Sequence, residues 1–142
     1  MTNAGIEQLK QDEGLRLSPY YCPAGVLTVG YGHAIQPHET SYLNRTITEA
    51  EAKKLLTEDI RHAELGARRY LPDFDLYSPP RKDALVNMIF NLGWGGFGKF
   101  RTFINYVKLQ KWNAAAESLK RSLWYSQVKG RAERIIQAIK EG

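Results

Sequence analysis

The 142-residue chain holds a single cysteine, Cys22, and that scarcity removes several chemistries at once. No intramolecular disulfide can form, and no multi-cysteine zinc or iron–sulfur site can be built. The three histidines, His33, His38 and His62, lack the spacing of a common zinc motif. Each reads as an ordinary structural histidine, and no metal or other cofactor is expected. No apolar run reaches the length needed to span a membrane, so no stable membrane insertion is expected. Residues 1–10 have no basic start leading into an apolar stretch, so no secretory signal is expected there. A substrate beyond the membrane would require another component to let the protein through. Neither a Gly/Ser-rich linker, nor a repeat, nor a low-complexity segment divides the chain.

What is present suffices for one domain, or one domain with two lobes. Hydrophobic residues make up 43% of the chain, enough to line a core without disulfide support. The net charge of +5 is unevenly placed. Residues 1–80 carry 8 Lys and Arg against 11 Asp and Glu, a net −3, whereas residues 81–142 carry 12 against 4, a net +8. Such polarity can steer a protein toward an anionic polymer. Nucleic acid, teichoic acid and peptidoglycan all qualify, and a merely solvated basic helical surface explains the charge equally well. No nucleic-acid-binding motif accompanies it, so nucleic acid is not an expected partner.

Periodicity gives a coarse map. Residues 3–13 read as a short helix: Asn3 can cap it, Ile6, Leu9 and Lys10 share a face, and Gly14 can end it. Glu13 then falls at the helix carboxyl end. Between 18 and 36 the pattern turns to Pro, Gly and aromatic residues around Gly25-Val-Leu-Thr-Val-Gly-Tyr-Gly-His33, predicting a small irregular antiparallel sheet. Thr48 and Glu51 stand at capping-box spacing, opening a helix with Leu55, Leu56, Ile60 and Ala63 on one face to about residue 68. Pro79-Pro80 can open the next helix, carrying Ala84, Leu85, Met88 and Ile89, which Gly93-Trp-Gly-Gly-Phe-Gly98 breaks. A short helix around 99–109, one over 114–122 capped by Asn113, and one over 131–140 with Ile135, Ile136 and Ile139 complete the map. The fold class is α+β and predominantly helical. A mixed first lobe (about 12–50) leads through a connector helix (about 48–68) to a helical second lobe (about 69–142), on which the N-terminal helix packs.

Hydrolysing an acetal needs a proton donor for the leaving oxygen and a group that positions water or stabilises developing positive charge. Glu13, ending a helix beside a polar, glycine-rich strand pair, is a plausible donor, because partial burial raises a carboxyl pKa. On periodicity alone it reads equally as a surface charge beside Asp12. Cys22 taken singly is a small hydrophobe, and Thr28 a strand former. The segment 93–98 lacks the strand-then-helix context and the Lys-Ser/Thr of a phosphate-binding loop, and reads as a turn with two packed aromatics. Trp124-Tyr125 reads as core.

The run Glu13-Gly-Leu-Arg-Leu-Ser-Pro-Tyr-Tyr-Cys-Pro-Ala-Gly-Val-Leu-Thr-Val-Gly-Tyr-Gly-His33 resembles the active-site segment of the tailed-phage lysozymes, or endolysins. In that family a catalytic Glu is followed, after eight residues, by Asp or sometimes Cys, and after five more by Thr. The pattern falls on Glu13, Cys22 and Thr28. Further matches are Ile47 to Asp59, Asp83 to Gly93, and Trp112 through Arg134, so the resemblance covers nearly the whole chain. It implies the family's two-lobed helical fold and hydrolysis of the β-1,4 bond between N-acetylmuramic acid and N-acetylglucosamine of peptidoglycan. Glu13 would be the general acid, and Cys22 and Thr28 would flank a water attacking from the opposite face with inversion. By the same resemblance His33 pairs with Asp59, Arg131 pairs with Glu13, and Gly32, Asn87 and Asn91 contact the substrate. A thiol has a reference pKa of about 8.5, so Cys22 in place of Asp leaves open a thiolate base, a neutral group that orders water, or reduced activity. Two alternatives follow: a catalytically impaired, glycan-binding structural protein of a phage particle, and a lytic transglycosylase. As an endolysin the protein would be a monomer in the host cytoplasm, reaching the wall through a separately encoded holin.

Overall fold

Helix α1 (Asn3–Glu13) begins one residue after Thr2, and it is Thr2 rather than Asn3 that caps it. The Thr2 hydroxyl accepts from the Gly5 N–H at 3.0 Å and donates to the Asp83 carboxylate. The expected cap shifts by one residue because Asp83, far away in sequence, holds Thr2 in place through its N–H as well (2.9 Å). At the other end Gly14 takes a φ of +71°, the left-handed conformation that closes a helix.

The computed structural model describes all residues 1–142 and has seven α-helices and one three-stranded antiparallel sheet. It divides into two compact units, Glu7–Arg61 and Met1–Ile6 with His62–Gly142. The first holds strands β1 (Arg16–Tyr21), β2 (Leu27–Gly30) and β3 (His33–Ala34), in the order β1-β2-β3. Register slips between Arg16↔Gly30 and Tyr20↔Thr28, so four steps along β1 match two along β2. Pro19 lies in that interval and has no N–H for the ladder, so the edge strand bulges there. Helix α2 (Glu49–Tyr70) starts with the expected capping box. Thr48 N–H donates to Glu51 Oε1 at 3.2 Å, and Glu51 N–H donates to Thr48 Oγ1 at 3.1 Å. Leu55, Leu56, Ile60 and Ala63 are buried along it.

In the second unit α3 (Pro79–Gly98) is capped by Ser78, with both prolines in its first turn. Gly93 (φ +73°, ψ 169°) does interrupt it, but residues 94–98 return to helix instead of staying a turn. Tertiary packing explains the return. Phe97 is fully buried, and the Trp94 indole stacks on the His62 ring (centroids 4.6 Å apart, 9° between planes) and donates to the His62 carbonyl at 3.0 Å. Then come α4 (Arg101–Lys108), α5 (Trp112–Leu119), α6 (Leu123–Gln127) and α7 (Lys129–Glu141). Asn113 lies inside α5 and makes no cap, since the helix starts one residue earlier at Trp112. Ser122 caps the unforeseen α6 through Tyr125 N–H. Ile135, Ile136 and Ile139 are buried where α7 packs on α3 and α5. Each such side chain contributes about 1.5–3 kcal/mol of burial. Trp124 is core, whereas Tyr125 is half-exposed and donates to Glu133. No helix is long and apolar enough to cross a membrane.

Gly66 tests the aromatic lock between α2 and α3. A Cβ there would collide with Trp94 Nε1 and come within 2.6 Å of its Cδ1. Gly66→Ala is therefore expected to destabilise the protein by about 2 kcal/mol, as overpacking does. That is a fall of about 6 °C in melting temperature, read by calorimetry. An unchanged transition would mean that the indole yields without cost.

Candidate active site

Glu13 is the last residue of α1, half-buried, and its carboxylate lies against the backbone of Gly32. The two-residue connection Tyr31-Gly32 joins β2 to β3, with φ of +70° at Gly30 and +72° at Gly32. A Cβ at Gly32 would strike the Glu13 Oε1 atom and come within 3.0 Å of its Cδ. Glycine is thus required twice over, for the backbone conformation and for the space the carboxylate fills.

The hairpin between β1 and β2 carries the other two candidates. Cys22 N–H donates to the Val26 carbonyl at 3.0 Å, continuing the ladder one residue past β1. Gly25 N–H returns to the Cys22 carbonyl at 2.8 Å, closing a turn with Pro23 second and Gly25 (φ +79°) fourth. Cys22 is a free thiol of intermediate exposure. The Val26 N–H draws its pKa below the ordinary thiol value, against a smaller upward pull from desolvation, and the Ala24 N–H adds to the lowering. Thr28, buried, gives its one hydroxyl proton to the Val26 carbonyl at 2.8 Å. With the proton so placed, its oxygen presents lone pairs to an incoming O–H, and the backbone N–H groups carry the effect on the thiol.

His33, on β3, is buried between two carboxylates. Nδ1 meets Asp59 at 2.8 Å and Nε2 meets Glu39 at 2.9 Å. Burial works against the imidazolium, but the hydrogen bonds and charges of Asp59 and Glu39 outweigh it and hold the pKa at about 9. Burial likewise raises the Glu39 carboxyl, yet the Gln36 N–H at 2.8 Å and His33 bring it below its usual value. Glu39 is a partner that sequence reading missed, since it sits in an irregular loop with no periodic signal.

In the other unit Asn87 is buried and accepts from Arg131 Nε at 2.8 Å. Asn91 accepts from Trp124 Nε1 at 2.8 Å, so any ligand at Asn91 would meet its amide N–H groups. Glu13, Gly32, Cys22, Thr28, His33 and Asp59 belong to one unit, and Asn87, Asn91 and Arg131 to the other.

A helix-ending carboxyl set on a small antiparallel sheet, with the remaining chain helical, defines a lysozyme-like α+β protein. The sequence model of the phage lysozyme family matches residues 10–138, and the chain belongs to that family. It is 33% identical to the endolysin of Salmonella phage P22, covering 83% of this chain and 80% of that protein. It is 27% identical to probable T4-type lysozyme 1 of Dictyostelium discoideum, over 100% of this chain and 96% of the relative. Similarity to the pre-baseplate central spike protein Gp5 of Enterobacteria phage T4 is 32% over 96% of this chain, which spans only 27% of that protein.

Proposed function

We propose that the protein lyses bacterial peptidoglycan by hydrolysing the β-1,4 bond between N-acetylmuramic acid and N-acetylglucosamine, with inversion. The observation that carries this reading is the Glu13 carboxyl seated on Gly32 in the same small unit as the Cys22–Thr28 hairpin. Glu13 donates its proton to the glycosidic oxygen as the bond breaks. Positive charge develops on the sugar, and a water held by Cys22 and Thr28 attacks from the opposite face. Thr28 accepts a hydrogen bond from that water and so orients it, while Cys22, acting as the thiolate that its lowered pKa favours, takes the proton the water loses on attack. His33, with Asp59 and Glu39, braces the strand that follows Gly32. Released through a holin, the protein would act on the wall as a monomer. The spike-protein relative favours one second reading, a glycan-binding module of a phage particle.

Product analysis of purified peptidoglycan digested in ¹⁸O-labelled water tests these readings. Labelled muramic-acid reducing ends are expected. Anhydro ends would replace hydrolysis with transglycosylation, and binding without new ends would favour the structural module. The thiol has its own test. Cys22→Ser is expected to lower turnover about tenfold or more with little change in melting temperature, since a hydroxyl is a poor base near neutrality. Alkylation of Cys22 should titrate with a midpoint below that of a free thiol. Full activity in Cys22→Ser across pH 5–9 would remove the thiol from the mechanism.

A further inference from the structure

Tyr20 belongs to none of the motifs above, yet the strand register brings it among the candidate groups. It pairs directly with Thr28 across the hairpin, so the two side chains share a face of the sheet. Cys22, two residues further on, shares that face by alternation. The bulge between Arg16 and Tyr20 also lets the Arg16 guanidinium lie over the ring, 4.4 Å from its centroid. A cation on the ring face fixes the ring and leaves the hydroxyl at the free edge.

That hydroxyl has no protein partner. No buried side-chain oxygen or nitrogen in the structure lacks a hydrogen bond, so the Tyr20 hydroxyl opens to solvent from a half-buried ring. Burial raises its pKa first of all; Arg16 lowers it, and the nearby Glu13 carboxyl and Cys22 thiol raise it again. The phenol therefore stays protonated wherever Glu13 could act as an acid, and it feels both Glu13 and Cys22. A rigid ring with an unspent donor at its tip suits an oxygen-rich, uncharged ligand surface.

We propose, resting on the reading of the protein as a peptidoglycan hydrolase, that the Tyr20 hydroxyl donates a hydrogen bond to an oxygen of the bound glycan strand beside the bond that is cleaved. Tyr20 is thereby a further substrate-contacting residue, and Arg16 is the residue that positions it.

Tyr20→Phe removes the hydroxyl and keeps the ring on Arg16. The loss of one neutral hydrogen bond predicts a fall of about five- to tenfold in kcat/KM on purified peptidoglycan, with an unchanged melting temperature. A soluble N-acetylglucosamine–N-acetylmuramic acid tetrasaccharide should bind the Glu13→Gln protein more tightly, by a similar factor, than it binds the Glu13→Gln/Tyr20→Phe protein. Wild-type kcat/KM and wild-type tetrasaccharide affinity in the Phe variants would overturn the assignment. A wild-type protein that neither binds nor cleaves wall glycan would fail earlier, at the parent reading. If Tyr20→Phe unfolds, Arg16→Met takes its place, freeing the ring while sparing the hydroxyl. A loss of about threefold is expected there, and none would overturn the proposal.

Discussion

Glu13→Gln is expected to lower turnover of peptidoglycan by about 10³-fold while shifting the melting temperature very little. General acid catalysis supplies about 10²–10⁴ of rate, and glutamine has the shape of glutamate without a proton to give. The side chain would still lie against Gly32, so the packing survives and the chemistry does not. Gly32→Ala makes the complementary case. The carboxyl remains, but a Cβ at Gly32 occupies its place, and alanine is strained at a φ of +72°. A displacement near 1 Å is enough to cost about 10²-fold in rate. Gly32→Ala should therefore lose activity about 10²-fold and stability by about 1–2 kcal/mol. The pair separates chemistry from placement. Kinetics on purified wall, with denaturant unfolding beside them, decide it. Near-normal turnover in Glu13→Gln would remove Glu13 as the acid. Full activity in Gly32→Ala would show that the carboxyl need not be held where it stands.

Elements whose cause is local were legible in the sequence. The Thr48–Glu51 capping box, the Gly14 helix stop, the proline start of α3 and the Ile135/Ile136/Ile139 stripe each rest on residues within a turn or two of one another. Where distant residues decide, pattern reading failed. Thr2 caps α1 because Asp83 grips it, and residues 94–98 resume helix because Trp94 and Phe97 find partners in the tertiary structure. The site divides the same way. The spacing of Glu13, Cys22 and Thr28 carries the resemblance, but the Gly32 seat of Glu13 needs coordinates. So does Tyr20, whose ring is held by Arg16 across a bulge that two-residue alternation cannot foresee. Glu39 reaches His33 from an irregular loop, where no period exists to be read.

The His33 cluster carries the second large effect, a loss of stability at alkaline pH. The folded-state pKa of about 9 stands above the ordinary histidine value of about 6.5. A raised basic group stabilises fully below its unfolded pKa, and that contribution disappears as pH climbs through the folded one. The loss should therefore run between pH 6.5 and 9 and amount to about 3 kcal/mol. Glu39 is shifted in the opposite direction, so its contribution is present above the ordinary carboxyl range and lost as pH falls through its lowered value. Asp59, Glu39, His38 and Tyr42 are the titratable groups in the neighbourhood, and only the first two touch the imidazole. Urea unfolding from pH 5.5 to 9.5 should show this decline in the wild type and a flat curve, at lower stability, in His33→Gln. A wild-type curve without slope between 6.5 and 9 would mean that the imidazole is neutral in the folded state. Because His33 directly follows Gly32, an alkaline fall in activity need not report a catalytic group at all. If it disappears in His33→Gln while an acid-side fall assigned to Cys22 persists, the brace and the base titrate separately.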